Sequence, residues 1–370
     1  MKIVTIIGTR PEIIRLACII NKLDKNYEHI LVHTGQNWNK QLYDVFFEEL
    51  EIRKPDYYLN IVGKNLGESM GNIISKSYDL LLELKPDGVL ILGDTNSALS
   101  AISAKRLKIP IFHMEAGNRC FDQLVPEEIN RKLVDHISDI NLPYTEHSRR
   151  NLINEGFRTD HIAVTGSPLA EVYEFYNNKI NQSKILNELN LEKNKFIVWS
   201  THREENIDHA ENWIKVIGCI NAVSKKYQNM KIIMSVHPRT FNKIRESNIK
   251  FQDNVILLEP FGLLDYIKLL KNAFCVVSDS GTISEEASIL KISAVSFRHC
   301  TERPEAIEKG NIILSSLEVD NLLNAIKITS NYSFDNQTCP CDYKDINVSD
   351  KIVNIIASYI PVINKVIYKK

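Results

Sequence analysis

Short apolar segments of strand length alternate with amphipathic helical segments along most of this chain. In the first half, apolar runs at residues 2–7, 29–33, 88–92 and 109–112 are each followed by a polar turn and then by apolar residues at helical spacing. The second half repeats the pattern between residues 196 and 297. Repeated βα units of this kind predict a mostly parallel, doubly wound sheet in each half.

A chain of 370 residues is too long for one ordinary hydrophobic core, so two domains are expected. The first series of βα units ends with a predicted strand at residues 162–165, and a polar helical segment rich in Asn, Lys and Glu follows it. The predicted division is an N-terminal domain at 1–168, a helical linker at 169–194, a C-terminal domain at 195–347 and a closing helix at 348–370. Two such α/β domains are expected to face a common cleft with their strand-end loops, and the closing helix is expected to cross back to the first domain.

Composition and charge limit the kinds of partner. Hydrophobic residues make up 44% of the chain and charged residues 25%, as in ordinary globular proteins. The formal net charge of -1 argues against a general nucleic-acid or membrane-surface role. No apolar run reaches the roughly 18 residues of a membrane span, and the N-terminal segment lacks the cleavage pattern of a signal peptide. A cytoplasmic protein without a nucleic-acid or membrane partner is therefore expected.

The seven cysteines are consistent with a reducing compartment. Cys18, Cys219, Cys275 and Cys300 lie in or beside apolar segments and are expected to be buried thiols. Residues 339–341 form a CxC pair, but the sequence offers no second pair or His cluster that would complete a zinc site. No metal is therefore expected.

Polar residues follow six of the predicted strands, at the edge where open α/β sheets bind their ligands. The densest stretch is residues 113–131, which contains Glu115, Glu127 and Arg131. Taken alone, this stretch is more typical of a solvated loop with ordinary ion pairs. The recurrence of such strand ends predicts instead a site for a charged small molecule. The other five ends lie at residues 8–10, 93–95, 201–206, 237–239 and 279–305.

Residues 279–286, DSGTISEE, are typical of a phosphate site. A turn of small residues that opens a helix offers free backbone N–H groups and the positive end of the helix dipole. A carboxylate one turn further along can accept hydrogen bonds from a ribose. His237 and Arg298 are placed to neutralise a diphosphate. The first domain would then hold the reactive end of the ligand, with Asp94, Glu115 and Glu127 as candidates for moving protons.

Eight motifs occur in order along the chain: GTRPEIIRL, HTGQN, GDTNS, HMEAGNR, PEEINR, THREEN, DSGTISEE and TERPE. Together they resemble those of the non-hydrolysing UDP-N-acetylglucosamine 2-epimerases. The resemblance implies two Rossmann-like domains of the glycosyltransferase B type, a homodimer, and a UDP-activated N-acetylated amino sugar as substrate. It also implies elimination of UDP to a 2-acetamidoglycal followed by re-addition, a route that needs no NAD and no metal.

The resemblance, together with the pattern of strand ends, assigns roles to individual residues. The catalytic group consists of Asp94, Glu115, Glu127, Arg131 and His202. The substrate- and UDP-binding group consists of Arg10, Arg15, His237, Arg239, Phe261, Ser280, Gly281, Thr282, Glu286 and Arg298. Within the first group we expect two acids, Glu115 and Asp94, to handle the proton at C2 of the sugar.

The chain departs from the commonest members of that family at several positions. Arg15 stands where they carry Lys, HMEAGNRC stands in place of HVEAGLRT, and DSGTISEE stands in place of DSGGIQEE. The longer stretch HMEAGNRCFDQLVPEE resembles a branch that epimerises UDP-2-acetamido-2,6-dideoxy-L-talose to UDP-N-acetyl-L-fucosamine for capsule or O-antigen synthesis. That reaction is the expected one. The alternatives are epimerisation of UDP-N-acetylglucosamine to the manno form, a UDP-sugar-dependent glycosyltransferase of the same fold, and a UDP-sugar-binding protein.

Overall fold

The structure is a computed structural model that describes residues 1–35, 40–123, 125–236, 238–247, 249–332 and 338–370. The side chains of residues 40–44, 238, 239 and 246 are also outside this description. The chain divides into two compact units. Unit 1 contains residues 1–175 and 341–370, and unit 2 contains residues 176–340.

Unit 1 is built on a parallel sheet of six strands within the described residues. Its strands are β1 (Lys2–Ile7), β2 (Glu28–His33), β3 (Tyr57–Tyr58), β4 (Gly88–Leu92), β5 (Ile111–Met114) and β6 (Ile140–Leu142). They are ordered β3-β2-β1-β4-β5-β6, so the chain starts at the centre and winds outward in both directions. The β1 and β4 strands are almost wholly buried, as expected for central parallel strands covered by helices on both faces.

Helices connect the strands of unit 1 by crossovers, as parallel pairing requires. They are α1 (Arg10–Asn26), α2 (Lys40–Glu49), α3 (Leu66–Leu84), α4 (Ser100–Arg106), α5 (Pro126–Ile137), α6 (Glu146–Asn154) and α7 (Leu169–Phe175). Proline occupies the first turn of both α1 and α5, where its missing N–H costs no helical hydrogen bond.

Unit 2 repeats the same architecture with its own sheet and core. Its strands are β7 (Phe196–Ser200), β8 (Lys231–Ser235), β9 (Val255–Leu258), β10 (Cys275–Ser278), β11 (Ala294–Ser296) and β12 (Ile313–Leu314), in the order β12-β11-β10-β7-β8-β9. Its helices are α8 (Asn177–Gln182), α9 (Ile185–Glu188), α10 (Glu204–Ile207), α11 (Ala210–Lys226), α12 (Pro238–Glu246), α13 (Leu263–Asn272), α14 (Ile283–Leu290), α15 (Pro304–Glu308) and α16 (Val319–Ser330). The rings of Trp199 and Phe297 stack at 5.4 Å in the core.

The last helix, α17 (Val348–Ile363), returns to unit 1, as predicted, and ends in a π-helical turn at Asn364–Tyr368. It packs against α1, where the Tyr27 hydroxyl donates to the carbonyl of Val353 at 2.8 Å. Residues Val348–Tyr368 are long and apolar enough to meet the length and composition criteria for a membrane-crossing helix. Ile352, Ile356 and Ile360 are nevertheless buried at helical spacing, and core packing in unit 1 accounts for them.

The two Rossmann-like sheets confirm the predicted fold class. One predicted strand is wrong. Residues 162–165 make a single bridge, between Asn141 and Ile162, and do not extend the sheet. The backbone N–H groups of Ala163 and Thr165 still donate to the carbonyls of Asn141 and Pro143, both at 3.0 Å, but Pro143 has no N–H to donate in return, so a second bridge does not form.

Candidate active site

Strand register places three loops side by side at one edge of the unit 1 sheet. Ile6 pairs with Ile91, and Leu92 pairs with Met114, so β1, β4 and β5 end at the same level. The residues that follow these strands are therefore neighbours at the carboxyl edge of a parallel sheet, where α/β proteins bind ligands. Two of the predicted unit 1 residues, Asp94 and Glu115, lie in these loops, and the other four lie on the helices α1 and α5 that follow the loops.

Glu115 is the first residue after β5 and has a left-handed backbone, with φ of 63°. Its carboxylate is 13% exposed, and its two oxygens meet different groups. Oε1 accepts a hydrogen bond from the Asn118 amide at 3.2 Å, and Oε2 lies 3.9 Å from Nε of Arg15. The Arg15 guanidinium is buried and lies over the Tyr144 ring, 5.4 Å from its centroid. The structure thus brings together two residues that were predicted separately, Arg15 for binding and Glu115 for catalysis.

Asp94 follows β4 and forms an ion pair with Arg131 of α5, with Nη2 and Oδ2 at 2.7 Å. Arg131 is held from behind by Glu128, at 3.2 Å. Glu128 also accepts from the backbone N–H of Cys120, at 3.1 Å, and is fully buried. Two predicted residues, Asp94 and Arg131, are therefore joined, and the buried Glu128 fixes the arginine that joins them.

Glu127 and Arg10 are placed differently from the other predicted residues of unit 1. Glu127 is exposed in the first turn of α5, where a carboxylate stabilises the positive end of the helix dipole. Arg10 is exposed at the start of α1, with its guanidinium 5.5 Å from the Phe46 ring centroid. Both side chains therefore remain accessible to a ligand at this sheet edge.

A buried charge network holds the loop that carries Glu115. Asp135 accepts from the Gly117 N–H at 3.1 Å, and its carboxylate lies 2.9 Å from Nδ1 of His113 and 2.8 Å from Nη1 of Arg119. Arg119 also binds both oxygens of Glu155, at 2.6 and 2.7 Å. Burial lowers the pKa of His113, but the hydrogen bond and charge of Asp135 outweigh burial and raise the pKa above its usual value. Arg119 is thus part of the scaffold of the site.

Glu12 is a site residue that the sequence did not indicate. Its buried carboxylate accepts from the backbone N–H groups of Gly8 and Thr9, at 2.5 and 3.3 Å. It also accepts from the hydroxyl of Thr95, at 2.7 Å, and so joins the loop after β1 to the loop that carries Asp94. Burial raises the pKa of Glu12 from 4.5 to about 7, although all of these hydrogen bonds oppose the shift.

We expect Glu12 to make the fold less stable as the pH rises. Because folding raises this pKa to about 7, the folded state binds an extra proton between pH 4.5 and 7, and the free energy of unfolding falls as pH rises through that window. The shift is equivalent to about 3 kcal/mol. Urea unfolding should show that the wild type loses free energy of unfolding between pH 4.5 and pH 7.5. In Glu12→Gln this loss should be smaller by about 3 kcal/mol. Exposed Glu83→Gln serves as the control, and an equal loss in wild type and Glu12→Gln would contradict the assignment.

The strand ends of unit 2 carry a histidine held by a buried carboxylate. Ser200 pairs with Ser278, so Thr201 and Asp279 follow β7 and β10 at the same edge. Asp279 is fully buried and accepts from the backbone N–H of His202, at 3.1 Å, while Nδ1 of the His202 ring lies 3.1 Å from it. Burial raises the pKa of Asp279, but the His202 charge and the donated hydrogen bonds outweigh burial and lower it. The His202 side chain is 54% exposed, so the ring is oriented by Asp279 and still open to a ligand.

The turn between β10 and α14, predicted from its small residues to offer free backbone N–H groups to a phosphate, is rich in hydroxyl groups, and the N–H groups of Ser280 and Thr282 donate to the hydroxyls of Ser278 and Ser280. The Ser280 and Thr282 hydroxyls are 2.9 Å apart, and Thr282 donates to Oε1 of Glu286 at 2.9 Å. Glu286 is buried on the first turn of α14. Three predicted residues are thus joined in one turn that opens a helix.

Arg298 lies beside this turn and retains unused donors. A Cβ at Gly281 would lie 3.5 Å from Nη1 of Arg298 and 2.5 Å from Oε1 of Glu302, so the guanidinium approaches the turn where no side chain can stand. Arg298 is 5% exposed and forms an ion pair with Glu302 at 3.0 Å. Its Nε and Nη2 atoms are buried without a hydrogen-bond partner among the described residues. Since buried donors without partners are rare, these atoms indicate a place for an anion.

The remaining predicted residues of unit 2 are less defined. Phe261 is half-buried in the loop before α13. His237 lies outside the described residues, and so does the side chain of Arg239 at the start of α12. In the part of the chain that the structure describes, no group of three or more His, Cys, Asp or Glu side chains could hold a metal ion.

Comparison with known proteins identifies this arrangement. The profile of the family described as UDP-N-acetylglucosamine 2-epimerase matches residues 21–357. The chain belongs to the UDP-N-acetylglucosamine 2-epimerase family. Members of this family are non-hydrolysing isomerases, and the chain is an isomerase of the UDP-N-acetylglucosamine 2-epimerase type.

Relatives in this epimerase family match the chain over nearly its whole length. The structure of a UDP-N-acetylglucosamine 2-epimerase from Rickettsia bellii is 46% identical, with a TM-score of 0.92 and coverage of 100% of both chains. A UDP-N-acetylglucosamine 2-epimerase from Methanococcus maripaludis is 37% identical over 96% of this chain and 98% of its own. The crystal structure of the Methanocaldococcus jannaschii enzyme in complex with UDP-GlcNAc and UDP is 35% identical, with a TM-score of 0.90 and coverage of 96% and 99%.

Proposed function

We propose that this chain inverts C2 of UDP-N-acetylglucosamine to give the manno form. The proposal is carried by the acids at the carboxyl edge of the unit 1 sheet, Asp94 paired with Arg131 and Glu115 beside Arg15. Inversion at carbon requires a proton to leave one face and another to arrive on the opposite face, so two separately held acids suit it. The relatives described above are named for UDP-N-acetylglucosamine, which favours this substrate over the L-talo sugar expected from the sequence.

The proposed reaction first breaks the bond between C1 and the UDP oxygen. The C2 hydrogen of a UDP-sugar is not next to a carbonyl group, so its direct removal is unfavourable. Loss of UDP with the C2 proton gives a 2-acetamidoglycal, and a proton delivered to the other face, with re-addition of UDP at C1, gives the epimer. Elimination and re-addition each transfer a proton and no hydride, so this route needs no nicotinamide.

Each proposed residue has a place in this sequence of steps. Glu115 and Asp94 exchange the C2 proton, and Arg131 fixes Asp94 at 2.7 Å. Glu127, on the exposed first turn of α5, helps to organise these two acids. His202, oriented by Asp279, acts on the departing UDP oxygen. This division assigns proton transfer to unit 1 and retention of UDP to unit 2.

UDP must stay bound while the glycal exists, and unit 2 offers the groups for this. We propose that the Arg298 donors and the turn at Ser280, Gly281 and Thr282 bind the diphosphate, with Glu286 at the ribose. Charge-assisted hydrogen bonds to phosphate are about twice as strong as neutral ones. Arg10, Arg15, His237, Arg239 and Phe261 complete the proposed binding group.

A second candidate substrate is UDP-2-acetamido-2,6-dideoxy-β-L-talose, which would give UDP-N-acetyl-L-fucosamine for capsule or O-antigen synthesis. The stretch HMEAGNRCFDQLVPEE favours it by its resemblance to that branch. A candidate from a different reaction class is a UDP-sugar-dependent glycosyltransferase, since such enzymes share this fold.

One experiment separates these candidates. The protein is incubated in D2O with each UDP-sugar and no acceptor, and the configuration and deuterium content at C2 are followed by NMR. We expect inversion and deuterium at C2 with UDP-N-acetylglucosamine. Inversion of the L-talo sugar alone would favour the second substrate. Inversion of neither would contradict the proposal and favour a transferase.

Replacing Arg298 should weaken UDP binding. Arg298→Met keeps the apolar stem but removes the two buried donors beside the turn, so the Kd for UDP should rise about 10- to 100-fold. Isothermal titration calorimetry measures this change. Arg158→Met, an exposed arginine of unit 1 paired with Asp160, is the control and should bind UDP like the wild type. Equal affinity in all three proteins would show that Arg298 does not meet the diphosphate.

We also propose a cytoplasmic homodimer. Exposed apolar side chains occur on two helices that both pack beside α4, namely Leu66 and Leu82 on α3, and Ile129 and Leu133 on α5. Large apolar side chains exposed on neighbouring helices are candidates for an interface between subunits. Light scattering after gel filtration should give twice the chain mass of 42.4 kDa.

A further inference from the structure

Asn118 is the residue through which the fold reaches the carboxylate of Glu115. It is 5% exposed, and its side chain bridges two groups. The amide Nδ2 donates to Oε1 of Glu115 at 3.2 Å, and the amide oxygen accepts from the Ser148 hydroxyl at 2.8 Å. Ser148 lies on α6, so a helix distant in sequence determines which way the amide points.

A helix cap sets the direction of donation in this series of hydrogen bonds. Thr145 is the N-cap of α6 and accepts from the backbone N–H of Ser148 at 3.3 Å. Its hydroxyl donates to the Ser148 hydroxyl at 3.3 Å, and the Ser148 proton is then directed to Asn118. With its oxygen accepting from Ser148, the Asn118 amide must present its N–H group to Glu115. All three side chains are buried, so water does not compete for these bonds.

The consequence for Glu115 is that its two oxygens are distinguished. Oε1 is bound by the Asn118 amide. Oε2 lies beside Arg15 and 3.8 Å from the position that a Cβ on Gly93 would take, next to Asp94. Oε2 is therefore the oxygen directed toward the other acid of the site.

We propose that Asn118 is a positioning residue for the epimerisation, and that it binds Oε1 of Glu115 so that Oε2 exchanges the C2 proton. The inference rests on the proposed function, because it requires Glu115 to act on that proton. It adds which oxygen acts and which residues, Asn118 and Ser148, align it. A misaligned base costs rate in the proton-transfer step but leaves binding of the UDP end intact.

Two variants and an isotope effect test the proposal. Asn118→Leu preserves approximate volume but has no donor, and kcat should fall about 10- to 100-fold while KM stays within about twofold. The kinetic isotope effect with C2-deuterated substrate should rise to above about 2, because proton transfer becomes slower than the other steps. Ser148→Ala removes one hydroxyl and should lower kcat about threefold, and it should also raise the kinetic isotope effect. Ser148→Ala should have no further effect when added to Asn118→Leu, since both act through one amide.

The controls keep the outcomes separate. Asn26→Leu, on the exposed end of α1, should behave like the wild type. If Asn118→Leu does not fold, Ser148→Ala alone decides. A fall in kcat with an unchanged isotope effect, a change confined to KM, or additive effects of the two substitutions would each overturn the positioning role. A wild-type protein that inverts neither UDP-sugar would overturn the proposed function, and this inference with it.

Discussion

Replacing Glu115 with Gln is expected to lower kcat about 1,000-fold, near the middle of the range for loss of a general acid or base. The substituted amide would keep the size of the side chain and could still meet Arg15 and Asn118, but it could not accept a proton. The affinity for UDP should stay within about twofold, because Arg298 and the turn at residues 280–282, which are proposed to bind the diphosphate, lie in unit 2. Solvent deuterium entering C2 measures the proton transfer itself, apart from product release.

Asp94→Asn provides the companion measurement. It removes the other acid and abolishes the ion pair with Arg131, so we expect a loss of similar size. Glu146→Gln, on the exposed first turn of α6 in the same unit, is the matched control and should exchange at the wild-type rate. Unchanged exchange in both Glu115→Gln and Asp94→Asn would mean that neither acid handles the C2 proton.

The neighbourhood of these two acids was predictable because it follows from backbone periodicity. Asp94 and Glu115 come just after apolar strand-length runs, and parallel strands of one sheet end at one edge. Because Leu92 pairs with Met114, Asp94 and Glu115 are near neighbours. This conclusion requires no information about side chains. The same reasoning places Thr201 and Asp279 together in unit 2.

The supporting residues were not predictable because their partners are distant in sequence. From the sequence, Arg119 is indistinguishable from a ligand-binding arginine, yet it is buried against Asp135 and Glu155. Glu12 looks like an ordinary helix-start acid, and its burial depends on Thr95, which is 83 residues away. Such pairings arise from tertiary packing, and the helical and strand periodicity of a sequence does not predict them.

Adjacent residues on one helix show a further limit. Glu127 and Glu128 are chemically identical, and the helix turns by about 100° between them. Glu128 therefore faces inward to Arg131 and Cys120, while Glu127 stays exposed. Sequence spacing alone does not set the phase of α5, because Ile129 and Leu133, which a hydrophobic pattern would turn inward, are exposed.

Gly117→Ala is expected to destabilise unit 1 by about 3 kcal/mol or more. Gly117 has φ of 78°, and a Cβ there would lie 2.3 Å from the carbonyl oxygen of Ser148 and 2.9 Å from Cγ of Leu152. The oxygen belongs to the backbone of α6, so the clash cannot be relieved by rotating a side chain. The loop that carries Glu115 and Asn118 would have to move away from α6, and activity should fall as well.

Gly156→Ala separates the clash from the backbone effect. Gly156 also has a positive φ, of 89°, but a Cβ there would meet nothing within 4 Å. Its substitution should therefore cost only the left-handed conformation, about 1 kcal/mol. The difference between the two midpoints of urea unfolding measures how closely the catalytic loop packs on α6. Equal midpoints would mean that the loop can shift without cost, and that Ser148 does not hold Asn118 in one position.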